Sequence, residues 1–140
     1  MRISRELLDD VIAHALADAP NECCGMIARR DRDAVSVHRA RNAAASPLKY
    51  EVESKDLLRI LDEIDDAGLE LGAIYHSHTR SAPVPSQTDI NLADMGDPPR
   101  PRFPGTLYVI VGVEDRSQPD VRAWSIANGQ VHEAELEVGP

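Results

Sequence analysis

The chain has 140 residues, 42% of them hydrophobic and 28% charged, a balance that suits one globular domain with its own buried core. Its 24 acidic residues outnumber 15 basic ones, giving a net charge of −9 at pH 7, and no Lys/Arg cluster interrupts that field. Tracking nucleic-acid phosphates or docking on an anionic membrane needs the opposite sign, so no nucleic-acid or membrane partner is expected.

The opening stretch MRISRELLDDVIAHALADAP carries charges throughout and lacks the continuous apolar run of a secretory leader, and no segment approaches the length of a membrane span. Cys23 and Cys24 are the only cysteines, and adjacent cysteines make a poor staple, which excludes a disulfide-built secreted scaffold. The expectation is a soluble, acidic, cytoplasmic protein with a single domain over residues 1–140.

In chain order, Ser4 can cap a helix over 5–18, with Leu8, Val11, Ile12 and Ala15 on one face and Pro20 ending it. Strands are predicted near 23–30 and 33–41, followed by a loop with Pro47 and a brief extended piece around Tyr50–Val52. A second helix begins at Ser54, with Leu57, Leu58, Leu61 and Ile64 as its apolar stripe and Gly68 beyond its end. LGAIYHSH reads as a strand, TRSAPVP as a loop, and Gln87 to Met95 as a short helix capped by Ser86. GDPPRPRFPG reads as a surface loop and TLYVIVGVE as a strand; VRAWSIA and VHEAELEV form a hairpin through Asn128-Gly129. The fold class is α/β: a mixed central sheet with a hairpin at each end, two longer helices and one short one.

His76 and His78 stand two apart at the end of a predicted strand, so both imidazoles project to the same face and can reach one ion. Eleven residues on, at the start of the short helix, lies Asp89. Two imidazoles and a carboxylate suit zinc and leave a fourth position open, as in catalytic sites. Blander readings exist for each residue. A His pair on a strand is often mere surface or core, Asp89 can serve the helix dipole, and Ser86 with Asp89 has the look of a capping box. His14, His38 and His132 have no partner at ligand spacing and fit the bland reading.

The combined pattern is more specific: Glu22, then His76-Ser77-His78, seven residues, Ser86, two residues, Asp89. It resembles the JAMM (MPN+) metalloprotease motif at every specified position, and PNECCG around Glu22 opens a strand after a helix as in that family. The resemblance implies a JAMM/MPN (cytidine-deaminase-like) fold and one zinc ion per chain held by His76, His78 and Asp89. It also implies Glu22 as general base and then acid, and Ser86 as donor to the developing oxyanion. Ser77 should face the other side of its strand and is assigned no chemistry.

Many family members carry Pro after the second His, whereas this chain has Thr79; IYHSHT with the later PSQTD is most similar to the bacterial enzymes that act on CysO-type sulfur carriers. That resemblance implies a ubiquitin-like sulfur-carrier partner with an extended Gly-Gly tail, from which a C-terminal cysteine is removed in cysteine biosynthesis. Arg80 is a candidate contact for the cysteine carboxylate, and a thiolate of Cys23 or Cys24 a candidate regulator of the metal. Alternatives are a desampylase-like isopeptidase sharing every catalytic residue and a non-catalytic MPN scaffold. A nucleoside deaminase lacks support, since neither H-x-E nor P-C-x-x-C is present.

Overall fold

The computed structural model describes all 140 residues. Short strand β1 (Arg2–Ser4) runs into helix α1 (Arg5–Asp18), where the Ser4 hydroxyl accepts the Leu7 N–H at 3.2 Å as the N-cap. Leu8, Val11, His14 and Ala15 form its buried face, at the spacing that keeps one stripe of a 3.6-residue helix inward. β2 (Cys24–Arg30) and β3 (Asp33–Ala40) follow as an antiparallel pair. The loop after β3 returns to form a single antiparallel bridge between Asn42 and Val52, where the extended piece was expected.

Helix α2 (Ser54–Asp66) begins at Ser54 as expected and is capped by Glu53, whose carboxylate accepts the Asp56 N–H. Its apolar stripe departs from expectation at one position, Leu58. Ile60 and Ile64 are buried, Leu57 and Leu61 pack beside them, and Leu58 is 65% exposed. Leu58 is two residues from Ile60, about 200° around the helix, so the two cannot share a face. Gly68 ends the element at φ +70°, the left-handed turn that glycine adopts without strain.

β4 (Glu70–His78) is buried from Gly72 onward and lies between β2, antiparallel, and β7 (Leu107–Gly112), parallel. A parallel pair needs a crossover, and α3 (Gln87–Ala93) lies on it. The same connection contains β5 (Asp94–Met95) and β6 (Arg100–Pro101), a two-stranded ribbon inside the segment expected as surface loop, so α3 ends two residues before Met95. β8 (Asp120–Ala127) and β9 (Gln130–Ala134) form the hairpin at Asn128-Gly129, both with positive φ as its tight turn requires. β10 (Glu137–Gly139) leaves that hairpin after Glu135 and Leu136 and pairs in parallel with β1.

The sheet order is β10-β1-β3-β2-β4-β7-β8-β9. Its two edge strands are consecutive in sequence, joined only through Glu135 and Leu136, so the sheet must curl until its edges approach. One core lies under α1 with Ile27, Tyr75 and Val109; the other lies under α2 and α3 with Met26, Ile60, Ile74 and Tyr108. No helix is long and apolar enough to cross a membrane.

Candidate metal centre

His76 and His78 end the central strand on the α2/α3 side, and Asp89 enters from the first turn of α3. The two Nε2 atoms are 3.2 Å apart, and Oδ2 of Asp89 stands 3.2 Å from His76 Nε2 and 3.0 Å from His78 Nε2. All three residues are buried. Nδ1 of His78 lies 2.8 Å from the Ala82 carbonyl, which only accepts, so in the neutral ring that nitrogen carries the proton and Nε2 presents a lone pair. Two imidazole nitrogens this close to a carboxylate oxygen share a cation with it, a proton in the metal-free chain or a metal ion when one is bound. Tetrahedral zinc with bonds of 2.0–2.1 Å sets its ligands about 3.3 Å apart, close to all three edges of this triangle. The donor set therefore fits one zinc ion.

Burial alone would raise the Asp89 carboxyl, but hydrogen bonds with both imidazoles and the Ser86 N–H hold it well below the usual carboxylate range. Burial also keeps His76 below the usual imidazole range, the neutral state a metal ligand needs. Its ring stacks on Tyr50 at 4.1 Å between centroids and 17° between planes.

Glu22 immediately precedes Cys23 and Cys24 at the head of β2 and is only 4% exposed. Its carboxylate and the two imidazoles offer ligand atoms within 4.8 Å of one another, a group that could itself hold a metal. Glu22 makes no ion pair or side-chain hydrogen bond with either imidazole, whereas Asp89 Oδ2 stands 3.2 and 3.0 Å from them. Oε1 of Glu22 is buried without a hydrogen-bond partner. Burial pushes its carboxyl up to about 7, opposed by His78 and reinforced by the charge of Asp89. A carboxyl poised there can take and return a proton near neutral pH.

Ser86 is the N-cap of α3. Its Oγ accepts the Asp89 N–H at 3.1 Å while its own N–H donates to Asp89 Oδ2 at 2.9 Å, the reciprocal capping box. Because Oγ serves the backbone only as acceptor, its proton is left to donate outward. Cap and oxyanion donor are compatible roles here.

Ser77 faces the α1 side as expected, yet it is fully buried and its Oγ accepts the Cys23 N–H at 2.8 Å. It thereby ties the ligand strand to the residue after Glu22. Thr79 donates to the Pro20 carbonyl at 2.9 Å, a link that proline could not make. Tyr50 and Ser77 carried no functional signal in the sequence; Thr79 carried one, its departure from the family's proline.

Both cysteine thiols are free and buried, and burial pushes each up to about 12, so neither supplies a ready thiolate. Arg80 lines a surface cleft with Pro20, Thr79, Glu114 and Arg116, in which Glu22, His76, His78 and Asp89 take no part. His14 meets Tyr75 at 2.7 Å and Asp18 at 3.3 Å, and His38 lies between Ser36 and Glu63, so both are satisfied structural histidines.

Residues 4–127 match the family model described as prokaryotic homologues of the JAB domain. Among curated relatives, the CysO-cysteine peptidase of Mycobacterium tuberculosis is 33% identical over 139 residues, covering 97% of this chain and 89% of its own. The desampylase of Haloferax volcanii is 34% identical over 124 residues, 83% of each chain. A solved structure titled as the JAMM metalloprotease-like zinc site in the proteasome and signalosome superposes with a TM-score of 0.61 at 20% identity, over 100% of this chain and 98% of that one. With its fold, its donor set and these relatives in agreement, the chain belongs to the prokaryotic JAB family of JAMM metallopeptidases.

Proposed function

We propose that residues 1–140 act as one zinc peptidase domain, in the cytoplasm, that removes a cysteine from the C-terminal glycine of a ubiquitin-like sulfur-carrier protein. His76, His78 and Asp89 are its metal ligands and Glu22 and Ser86 its catalytic groups. The observation that carries the mechanism is the triangle of 3.0–3.2 Å between the three buried donors, with the unpartnered Glu22 carboxylate beside it.

A zinc ion held there supplies Lewis acidity and a water acidified towards neutrality. Glu22 accepts the proton of the attacking water and delivers it to the leaving amine, a transfer suited to a carboxyl raised to about 7. Ser86 directs its hydroxyl proton at the oxygen that gains charge when the carbonyl is attacked. Tyr50 excludes water from one face of the His76 ring, and the Ala82 carbonyl holds the His78 ring by its Nδ1–H.

The substrate reading is supported by the Mycobacterium relative, named a CysO-cysteine peptidase and similar over 97% of this chain. A second reading, an isopeptidase of other ubiquitin-like conjugates, is favoured by the Haloferax desampylase. A non-catalytic scaffold finds no support in a site that keeps all five residues. The test is a mass-spectrometric assay presenting a carrier–cysteine adduct and a lysine-linked conjugate side by side. Faster release of cysteine is expected. Cleavage of the lysine-linked conjugate alone would overturn the substrate, and cleavage of neither by zinc-loaded protein would overturn the activity.

A further inference from the structure

The segment between β3 and α2 carries Tyr50 against His76, and one side chain organises it. Nδ2 of Asn42 donates to the carbonyls of Glu22 and Lys49, both at 3.0 Å, while Oδ1 accepts the N–H groups of Ala44 and Glu51, also both at 3.0 Å. All four bonding positions of the amide used here are consistent with one orientation. Turning it over would set donor against donor and acceptor against acceptor. Lys49 and Glu51 flank Tyr50, so the amide brackets the residue stacked on His76 and at the same time grips the carbonyl of Glu22. The Glu22 N–H is held by the same segment, donating to the Ser46 carbonyl at 2.9 Å.

We propose that Asn42 is a positioning residue, which fixes the Glu22 carboxylate relative to the His76 imidazole by clamping Glu22 through its carbonyl and Tyr50 through its neighbours. Asn42 touches no reacting atom in this role. The inference rests on the reading of Glu22 as general base, because the value of the clamp lies in where it puts that carboxylate. A misplacement of about 1 Å at a reacting group can cost roughly a hundredfold in rate. Asn42→Asp is the informative variant: it keeps the two acceptor bonds that shape the loop and loses both donors, replacing them with a charge that repels the two carbonyls. Asn42→Ala loses all four bonds.

The test has two arms. In metal-free protein, NMR of the His76 ring reports Tyr50 through its ring current, and amide exchange reports the Glu22–Ser46 bond. In zinc-loaded protein, kcat and KM are measured on the carrier–cysteine adduct together with zinc content. For Asn42→Asp we expect displaced His76 resonances, faster exchange at Glu22, full zinc, and kcat lowered about ten- to a hundredfold with KM little changed. Wild-type kcat overturns the proposal, whether or not the resonances move. Unmoved resonances and exchange also overturn it. If the wild-type protein cleaves neither conjugate, the proposed function fails, and the metal-free arm still decides whether Asn42 holds Glu22 and Tyr50 together. Should Asn42→Ala fail to fold, Asn42→Asp carries both arms.

Discussion

Replacing Glu22 by Gln should stabilise the metal-free protein, and by an amount that depends on pH. Burial raises this carboxyl from 4.5 to about 7, so the folded chain binds the Glu22 proton more tightly than the unfolded chain does. Wherever the native state holds more protons, stability falls as pH rises. For Glu22 the loss begins near the unfolded value of 4.5 and is complete just above 7. The difference of those values corresponds to about 3 kcal/mol at pH 8 and about 1 kcal/mol at pH 5. Glutamine is close to the same shape and uncharged throughout, so it removes this dependence. Urea denaturation of wild type and Glu22→Gln, both in chelator, should therefore diverge from pH 5 to pH 8, with the variant the more stable at pH 8. Parallel stabilities across that range, or a variant less stable at pH 8, would refute the view that Glu22 is a buried carboxylate held without a partner.

Two other substitutions probe separate parts of the account. Ile60→Ala should cost about 2–4 kcal/mol in urea denaturation, whereas Leu58→Ala, on the exposed face of the same helix, should stay within about 0.5 kcal/mol. Equal losses would contradict the observed rotation of α2. Ser86→Ala should keep its zinc, lose about 1 kcal/mol with the cap, and lower kcat about a hundredfold with the oxyanion donor. Unchanged kcat in a destabilised variant would leave Ser86 as a helix cap alone.

What was legible in the sequence depended on local rules. His76 and His78 share a face because strand side chains alternate, and the Ser4 cap and the Asn128-Gly129 turn are likewise local. Asp89 and Glu22 were legible through the spacing of the whole motif. The parts that escaped depend on distant partners. β1 and β10 are three residues each and are held largely by pairing across more than 130 residues, with a break at Glu135 and Leu136 that no composition signal marks. On α2 the pattern admits Leu58 to a stripe that Leu57, Leu61 and Ile64 do share with Ile60, and only packing against the sheet decides where that stripe ends. Tyr50 and Asn42 act through a loop whose contacts with His76 and Glu22 leave no periodic trace.

Zinc per chain in three proteins, the wild type, Glu22→Gln and Asp89→Ala, tests the centre most directly, because two overlapping donor sets share the histidine pair. If His76, His78 and Asp89 are the ligands and Glu22 the base beside them, metal analysis will give one zinc in the wild type, one in Glu22→Gln and close to none in Asp89→Ala. One zinc retained in Asp89→Ala and lost in Glu22→Gln would contradict the account and hand the metal to Glu22, His76 and His78.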